Sequence, residues 1–427
     1  MKILVIGGGG REHAIIRKLK ENPEVTEVVA IPGNAGIARD AECVSIKATD
    51  IDGIVDYVKA HPVGFAVVAP DDPLALGCVD RLHALGVPCF GPDAKAARIE
   101  ASKVFAKDLM KKYGIPTAAY EVFDDPKAAL EYVRTCPLPT VVKADGLALG
   151  KGVVICFSRQ DAEAAVTAAM VESVFGKSGS RIVIEEFLEG PEVSVLSFTD
   201  GHVVKPMVSS MDHKRAGDND TGLNTGGMGT IAPNPCYTPE VAKRCMDEIF
   251  LPTIRAMAQE GCPFKGCLYF GLMVTKDGPK VIEYNCRFGA PETQVVLPLL
   301  KSDLLTVMRA VENETLADTP VEFSDGAACC VMLASGGYPG KYEKGKVIDM
   351  GRAEALAQIY HSGTAKNESG ALVTAGGRVL GVSCTADTLE EAIQKAYAAA
   401  AEIKWDGMTL RHDIGRRALS ILNKGEM

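Results

Sequence analysis

Over the first hundred residues, apolar positions fall in short runs separated by helical patterns. Residues 2–6, 27–31, 65–69 and 87–90 read as strands, and they end at Gly7–Gly10, Pro32-Gly33-Asn34 and Gly91-Pro92. Residues 11–20, 51–60 and 73–85 carry the helical period between them. Strands alternating with helices predict βαβ units and a parallel sheet. The rhythm then changes. Residues 100–113 read as a helix that ends at Gly114. Residues 140–143 and 153–157 read as strands flanking a glycine-rich link at 144–152. Ser158-Arg159-Gln160-Asp161 fits a capping box, opening a helix to about residue 174. Residues 181–186 form another strand. Residues 209–230 hold many Gly, Asp and Asn with little periodicity, which predicts a long functional loop. Thr238-Pro239 opens a helix that Pro252 is expected to kink. Residues 267–275 and 280–287 predict a hairpin turning at Asp277-Gly278. A last unit after about residue 324 has a strand near 377–383 and a helix opened by Thr388-Leu389-Glu390-Glu391.

Bulk properties narrow the classes. A chain of 427 residues predicts two to four units. Apolar content of 47% is ordinary for a globular core. A net charge of −9 argues against nucleic acid or an anionic membrane as the main partner, but leaves room for anionic small substrates. No targeting segment or membrane-length apolar run is visible, so a cytoplasmic location is expected. The 13 cysteines include no CxxC pair and the 7 histidines no HExxH, which predicts reduced thiols and no zinc site.

The chemistry concentrates at Val281-Ile282-Glu283-Tyr284-Asn285-Cys286-Arg287-Phe288. Side chains alternate along a strand, so Glu283 and Asn285 share one face, about 7 Å apart. A carboxylate and an amide oxygen suit Mg²⁺, which keeps phosphates and water as its other ligands. Arg287 falls on the same face, where a cation can hold a carboxylate or a developing phosphoryl charge. A half-exposed strand with polar residues outward is the other reading, and both stay open on these residues alone.

Other motifs bear on the choice. Gly7-Gly8-Gly9-Gly10-Arg11 lies between strand and helix, where backbone N–H groups favour phosphate. It fails the dinucleotide pattern because Glu12 or His13 stands at the last position. A tight turn packing helix on sheet remains possible. Lys143-Ala144-Asp145-Gly146-Leu147-Ala148-Leu149-Gly150-Lys151-Gly152 fails the Walker spacing, and Gly152 replaces the required Ser or Thr. Two strands flanking glycines read better as a lid over a nucleotide than as an ordinary hairpin. Ile182-Val183-Ile184-Glu185-Glu186-Phe187-Leu188 is an apolar strand whose unpaired end can read an adenine edge, or is simply solvated. Asp212-His213-Lys214-Arg215 is either a solvated charge run or the opening of a glycine loop whose amides bind anions. No triad for covalent catalysis is present. Phosphoryl transfer needs mainly positioning and charge, which this inventory supplies.

The hairpin lid, the Glu-Glu-Phe-Leu strand end and the Glu-x-Asn strand resemble the ATP-grasp fold. Gly9-Gly10-Arg11-Glu12-His13-Ala14, Pro32-Gly33-Asn34-Ala35-Gly36, Lys143-Ala144-Asp145-Gly146-Leu147 and Asp212-His213-Lys214-Arg215 match one family within it. So do Asn224-Thr225-Gly226-Gly227-Met228-Gly229, Asn285-Cys286-Arg287-Phe288-Gly289, Gly376-Gly377-Arg378-Val379-Leu380 and Asp413-Ile414-Gly415. The chain thus resembles the glycinamide ribonucleotide synthetases (phosphoribosylamine–glycine ligases) over essentially its whole length. The resemblance implies an α/β chain with a Rossmann-like parallel-sheet domain at 1–101 and an ATP-grasp domain at 102–325. A hinged lid at about 118–190 and a small α+β domain at 326–427 complete it. It implies ligation of glycine to 5-phosphoribosylamine, with ATP and Mg²⁺ or Mn²⁺, and no required protein partner, nucleic acid or membrane.

By that resemblance Glu283 and Asn285 hold the metal. Lys103 and Lys143, with Gly150, Lys151 and Gly152 of the lid, meet the phosphates. Glu185, Glu186, Phe187 and Leu188 meet adenine, and Glu192 meets ribose. Arg287, Asp212 and Lys214 are catalytic. Gly9, Gly10 and Arg11, with Asn224, Thr225, Gly226 and Gly227, bind substrate together with Arg287. Gly8, Leu223, Ala69-Pro70-Asp71 and Ala290 depart from the family pattern, which usually has Asn, Pro, Gly-Pro-Glu and Asp there. Alternative functions are another ATP-grasp carboxylate ligase, such as a bicarbonate-using carboxylase subunit, and an ATP sensor without turnover.

Overall fold

The computed structural model describes residues 1–147 and 152–425. Its first sheet has five strands, β1 (Lys2–Gly7), β2 (Glu27–Pro32), β3 (Glu42–Cys43), β4 (Phe65–Val68) and β5 (Cys89–Phe90), in the order β3-β2-β1-β4-β5. All neighbours are parallel. Ile3, Leu4, Val5 and Ile6 of β1 and all four residues of β4 are buried, as continuous apolar runs require when both faces are covered. Helix α1 (Gly10–Leu19) starts directly after β1.

The expected helix at 100–113 is two helices, α2 (Ala94–Ala101) and α3 (Lys103–Tyr113). Ser102 breaks them: it is extended at φ −135°, and its Oγ accepts the Phe105 N–H. The expected helix at 73–85 likewise divides into Asp71–Ala75 and Cys78–His83, because Gly77 turns left-handed at φ +79°. Pro252 breaks nothing. A π-helical turn, Met246–Phe250, joins Pro239–Cys245 to Leu251–Gln259, and the widened turn precedes the proline that lacks an N–H. The capping box at Ser158 and Asp161 forms in both directions.

The next sheet is antiparallel, β6 (Tyr120–Phe123), β7 (Thr140–Ala144), β8 (Val153–Cys156) and β9 (Ile182–Glu186), in the order β6-β9-β7-β8. A second antiparallel sheet follows, with β10 (Glu192–Asp200), β11 (Val204–Pro206), β16 (Lys265–Thr275) and β17 (Gly278–Asn285) in the order β11-β10-β16-β17. Residues 209–230, expected to be a loop, contain β12 (Met211–Asp212), β13 (Arg215–Gly217), β14 (Thr221–Asn224) and the start of β15 (Gly229–Ala232). β13 and β14 pair with each other. β12 and β15 join a sheet with β18 (Ala327–Ser335), β19 (Gln358–His361), β22 (Arg378–Ala386) and β23 (Met408–Thr409), while β20 (Thr364–Lys366) and β21 (Leu372–Thr374) form a small hairpin. β15 pairs with β18 about a hundred residues downstream, and β12 joins the sheet only through β15, so no local period could show them. Among the described residues no helix is long and apolar enough to cross a membrane.

Candidate active site

The sheets enclose a cavity of about 1130 Å³. β17 brings Glu283 and Asn285 to it. A bulge at Ile282 sets Glu283 opposite Gly271, and a Cβ on Gly271 would come within 2.9 Å of the Glu283 side chain. That glycine therefore makes room for the carboxylate. Lys214 Nζ lies 3.5 Å from Glu283 and 3.5 Å from Glu192. Lys214 first, and Lys143 and Lys103 after it, hold the Glu283 carboxyl down to about 2. Asn285 Oδ1 accepts from the Arg287 guanidinium at 3.1 Å. Cations thus already face both oxygens proposed as metal ligands.

Among the described residues no group of three or more His, Cys, Asp or Glu could hold a metal alone. Two hard oxygen donors fit a divalent ion that arrives with nucleotide phosphates and keeps water, and not a closed protein cage.

Arg287 lies beyond the end of β17 and is steadied from α2. Glu100 Oε1 is 3.0 Å from its guanidinium, while Glu100 Oε2 accepts the Cys286 N–H at 2.7 Å. Burial raises the Glu100 carboxyl, with Arg287 working against it. The Arg287 Nε is buried without a partner, which leaves one directed donor for a bound anion.

α3 and β7 carry Lys103 and Lys143, the lysines expected to meet phosphates. Lys103 Nζ donates to the Gly146 carbonyl at 2.9 Å. Asp145 accepts from Ser102 Oγ and from the Val104 N–H, stapling the residue after β7 to the start of α3. Lys143 Nζ sits 2.9 Å from Glu185 and donates to the Ile282 carbonyl at 3.0 Å. Gly152 reaches the cavity wall; Gly150 and Lys151 lie outside the described residues.

The adenine reading needs a correction. β9 is an inner strand, and Glu185 pairs with Tyr120 on one side and Val141 on the other. The Glu186 N–H goes to the Ala119 carbonyl at 2.9 Å. The backbone there is not unpaired; pairing ends at Glu186, so an open edge begins only at Phe187 and Leu188. The Glu185 carboxylate is also engaged, by Lys143 and by Lys107 at 3.3 Å. Leu188, Met273 and Ala118 cluster with Ile282 to give an apolar wall.

At the start of α1 the Gly9 N–H donates to Glu12 Oε2 and Arg11 Nε to Glu12 Oε1, each at 2.6 Å. Glu12 thus takes a helix N-terminal donor expected to face a ligand. Gly10 approaches Ser362 and Gln294, whose Oε1 is buried without a partner. Arg11 also donates to the Phe288 carbonyl at 3.0 Å, joining this turn to the segment after β17.

Asp212 lies beneath the glycine loop. A Cβ on Gly227, at φ +108°, would come within 2.6 Å of its Oδ1. Burial and then Glu292 push the Asp212 carboxyl well above its usual range. Asn224, Thr225 and Gly226 line the cavity. Gly227 does not line it; it is buried, and its N–H donates to Thr225 Oγ1.

Three residues escaped the sequence reading. Glu100 carries no signal, because its partners are brought by folding. Lys107 stands one helical turn after Lys103, a spacing that could have exposed it. Arg378, noticed only within a family motif, donates to the carbonyls of Gly226 (2.5 Å), Gly227 (3.3 Å) and Ala290 (2.6 Å). Ala290 therefore contributes its backbone where the family pattern usually has a carboxylate.

Known proteins similar to this chain share its family and fold. Family models of phosphoribosylglycinamide synthetase cover the chain in sequence: the N domain at 1–100, the ATP-grasp (A) domain at 101–293 and the C domain at 328–417. A phosphoribosylamine–glycine ligase of Vibrio vulnificus (strain YJ016) is 47% identical over 425 residues, covering 98% of this chain and 99% of the relative. One from Rhizobium meliloti (strain 1021) is 47% identical over 421 residues, covering 98% and 99%. The crystal structure of the phosphoribosylamine–glycine ligase of Thermotoga maritima is similar at a TM-score of 0.86 and 37% identity, covering 97% of this chain and all of that one. The biotin carboxylase domain of the Hydrogenobacter thermophilus 2-oxoglutarate carboxylase shares the fold alone, at a TM-score of 0.72 and 18% identity, covering 96% and 91%.

Proposed function

The chain belongs to the phosphoribosylglycinamide synthetase family, and from that premise we infer how its residues work. It is a carbon–nitrogen ligase that joins glycine to 5-phosphoribosylamine with ATP, giving glycinamide ribonucleotide, ADP and phosphate in purine biosynthesis. It uses ATP and a divalent metal. Mg²⁺ or Mn²⁺ is the finer assignment, with Glu283 and Asn285 as its protein ligands. When bound, the ion would neutralise charge on the nucleotide phosphates.

Lys103 and Lys143 hold the phosphates as point charges. The apolar wall around Leu188 receives adenine, and Glu192 the ribose. Arg287, kept in place by Glu100, orients the glycine carboxylate. A carboxylate oxygen attacks the γ-phosphorus, the bond to the β-phosphate bridge breaks, and ADP and glycyl phosphate result. The amine of phosphoribosylamine then attacks the glycyl carbonyl carbon. Phosphate leaves, an amide forms, and Asp212 accepts the amine proton. Gly9, Gly10 and Arg11 bind the ribose phosphate, and Arg378 holds the loop at Asn224–Gly227 against that substrate. The units behind these roles are 1–101, 102–325 with its lid at about 118–190, and 326–427. The reaction needs no nucleic acid, membrane or protein partner, and we assign it to the cytoplasm.

The observation that carries the reading is the pairing of Glu283 and Asn285 with Lys214 and Arg287 in one cavity. Phosphate release is measured with ATP, Mg²⁺, glycine and freshly made phosphoribosylamine, omitting each in turn. Turnover is expected only with glycine present. Turnover with bicarbonate in its place would sink the assignment. Glu283→Ala and Asn285→Ala at wild-type rates would sink the metal ligands.

A further inference from the structure

Glu185 Oε2 receives two ammonium groups, Lys143 at 2.9 Å and Lys107 at 3.3 Å. The three side chains are 6%, 3% and 4% exposed for Lys143, Lys107 and Glu185. One buried carboxylate thus serves two buried cations. Their donors distinguish the two lysines. Lys107 also donates to Thr117 Oγ1 at 2.8 Å and to the Ala118 carbonyl at 3.3 Å, so all three of its N–H bonds are directed. Among the described residues Lys143 has one other partner, the Ile282 carbonyl, and there keeps a donor in reserve. Thr117 in turn donates to the Val281 carbonyl at 2.8 Å. Lys107 is therefore anchored to the sheet that carries Glu283, whereas Lys143 rides on the lid strand β7.

We propose that Lys107 is a positioning residue for ATP: it keeps Glu185 paired so that Lys143 is free to move to the nucleotide phosphates. The proposal rests on the reading of Lys143 as a phosphate ligand. Its logic is electrostatic. A buried carboxylate stripped of its cation is strongly disfavoured. With Lys107 in place, Glu185 stays neutralised whichever way Lys143 turns. Without Lys107, Lys143 is the only cation left for Glu185 among the described residues, and the phosphates compete with that carboxylate. Burial lowers the Lys107 ammonium to about 8, with Glu185 opposing the fall, so the cation persists at neutral pH.

The test is calorimetric titration of the full chain with Mg²⁺ and ATP or adenosine, read as the ratio of the two affinities. Lys107→Met is expected to lower that ratio by roughly tenfold or more, the equivalent of losing about 1.4 kcal/mol. Lys107→Arg should restore most of it. Adding Glu185→Gln to Lys107→Met should also restore it, because nothing then holds Lys143. A packing role alone predicts otherwise: both ligands weaken together and the double variant recovers nothing. That pattern, or an unchanged ratio in Lys107→Met, overturns the proposal. Lys143→Met separates the two levels. If it leaves the ratio unchanged, the phosphate reading of Lys143 falls and takes the proposal with it. If it lowers the ratio while Lys107→Met does not, only the proposal falls.

Discussion

Glu100→Gln isolates what holds Arg287 in place. Gln is nearly isosteric, so packing around α2 is kept. Its amide oxygen can still accept the Cys286 N–H, but its NH₂ then faces the guanidinium, donor against donor. The lost contact is a 3.0 Å ion pair between largely buried groups, Glu100 at 9% exposure. Coulomb attraction at that distance is about 5 kcal/mol at an effective dielectric of 20, before desolvation of both ions. Desolvation offsets much of it, and hydrogen bonds to charged groups contribute about 1.5–3 kcal/mol net. Each loss of about 1.4 kcal/mol is a factor of ten in rate. If Arg287 orients the glycine carboxylate, kcat/KM for glycine should fall roughly 10- to 150-fold in a coupled ADP assay. KM for ATP should hardly move, because Lys103 and Lys143 are untouched. Activity within about twofold of wild type, with a folded variant, would refute the positioning role. So would an equal loss in KM for ATP, which would mean a general loosening of the site.

Acid should destabilise the fold through its buried histidines. His213 donates through Nδ1 to the Gly229 carbonyl and accepts the Gly415 N–H at Nε2, so it is neutral, and burial lowers it to about 4. His13 is also lowered, and His361 falls to about 3, both mainly by burial. At these histidines the unfolded chain binds protons that the folded chain refuses, so their contribution to stability rises with pH between about 3 and 6.5 and is flat above. For His213 alone the window is worth on the order of 3 kcal/mol, and the melting temperature of His213→Asn should depend less on pH there. A second prediction concerns the metal. With only Glu283 and Asn285 as protein donors, chelation should abolish ATP turnover and leave the melting temperature of the nucleotide-free chain unchanged; a large drop would reveal a structural ion.

Much of this was legible in the chain. The buried runs of β1 and β4, the capping box at Ser158 and the Glu283/Asn285 alternation are local patterns, and each formed as read, whereas at Thr388 only the hydroxyl half of the expected box formed. The misreadings share a cause. Ser102 separates two helices because its side chain caps the second, a choice that apolar period cannot express. The segment at 209–230 looked like a loop because its strands are two to four residues long, and β15 pairs with β18 far along the chain. The end of β9 looked open because the strands on both its sides were not yet assembled.

Taken alone, then, the sequence determined which residues have the chemistry for phosphoryl transfer and on which local elements they stand. Side-chain type and the periods of strand and helix are properties of neighbours in the chain. Only the tertiary structure decided how those groups are shared. It set Glu100 against Arg287, Arg378 across Gly226 and Ala290, and Lys107 beside Lys143 on a single carboxylate. Charge energies vary with distance and burial, and folding creates both.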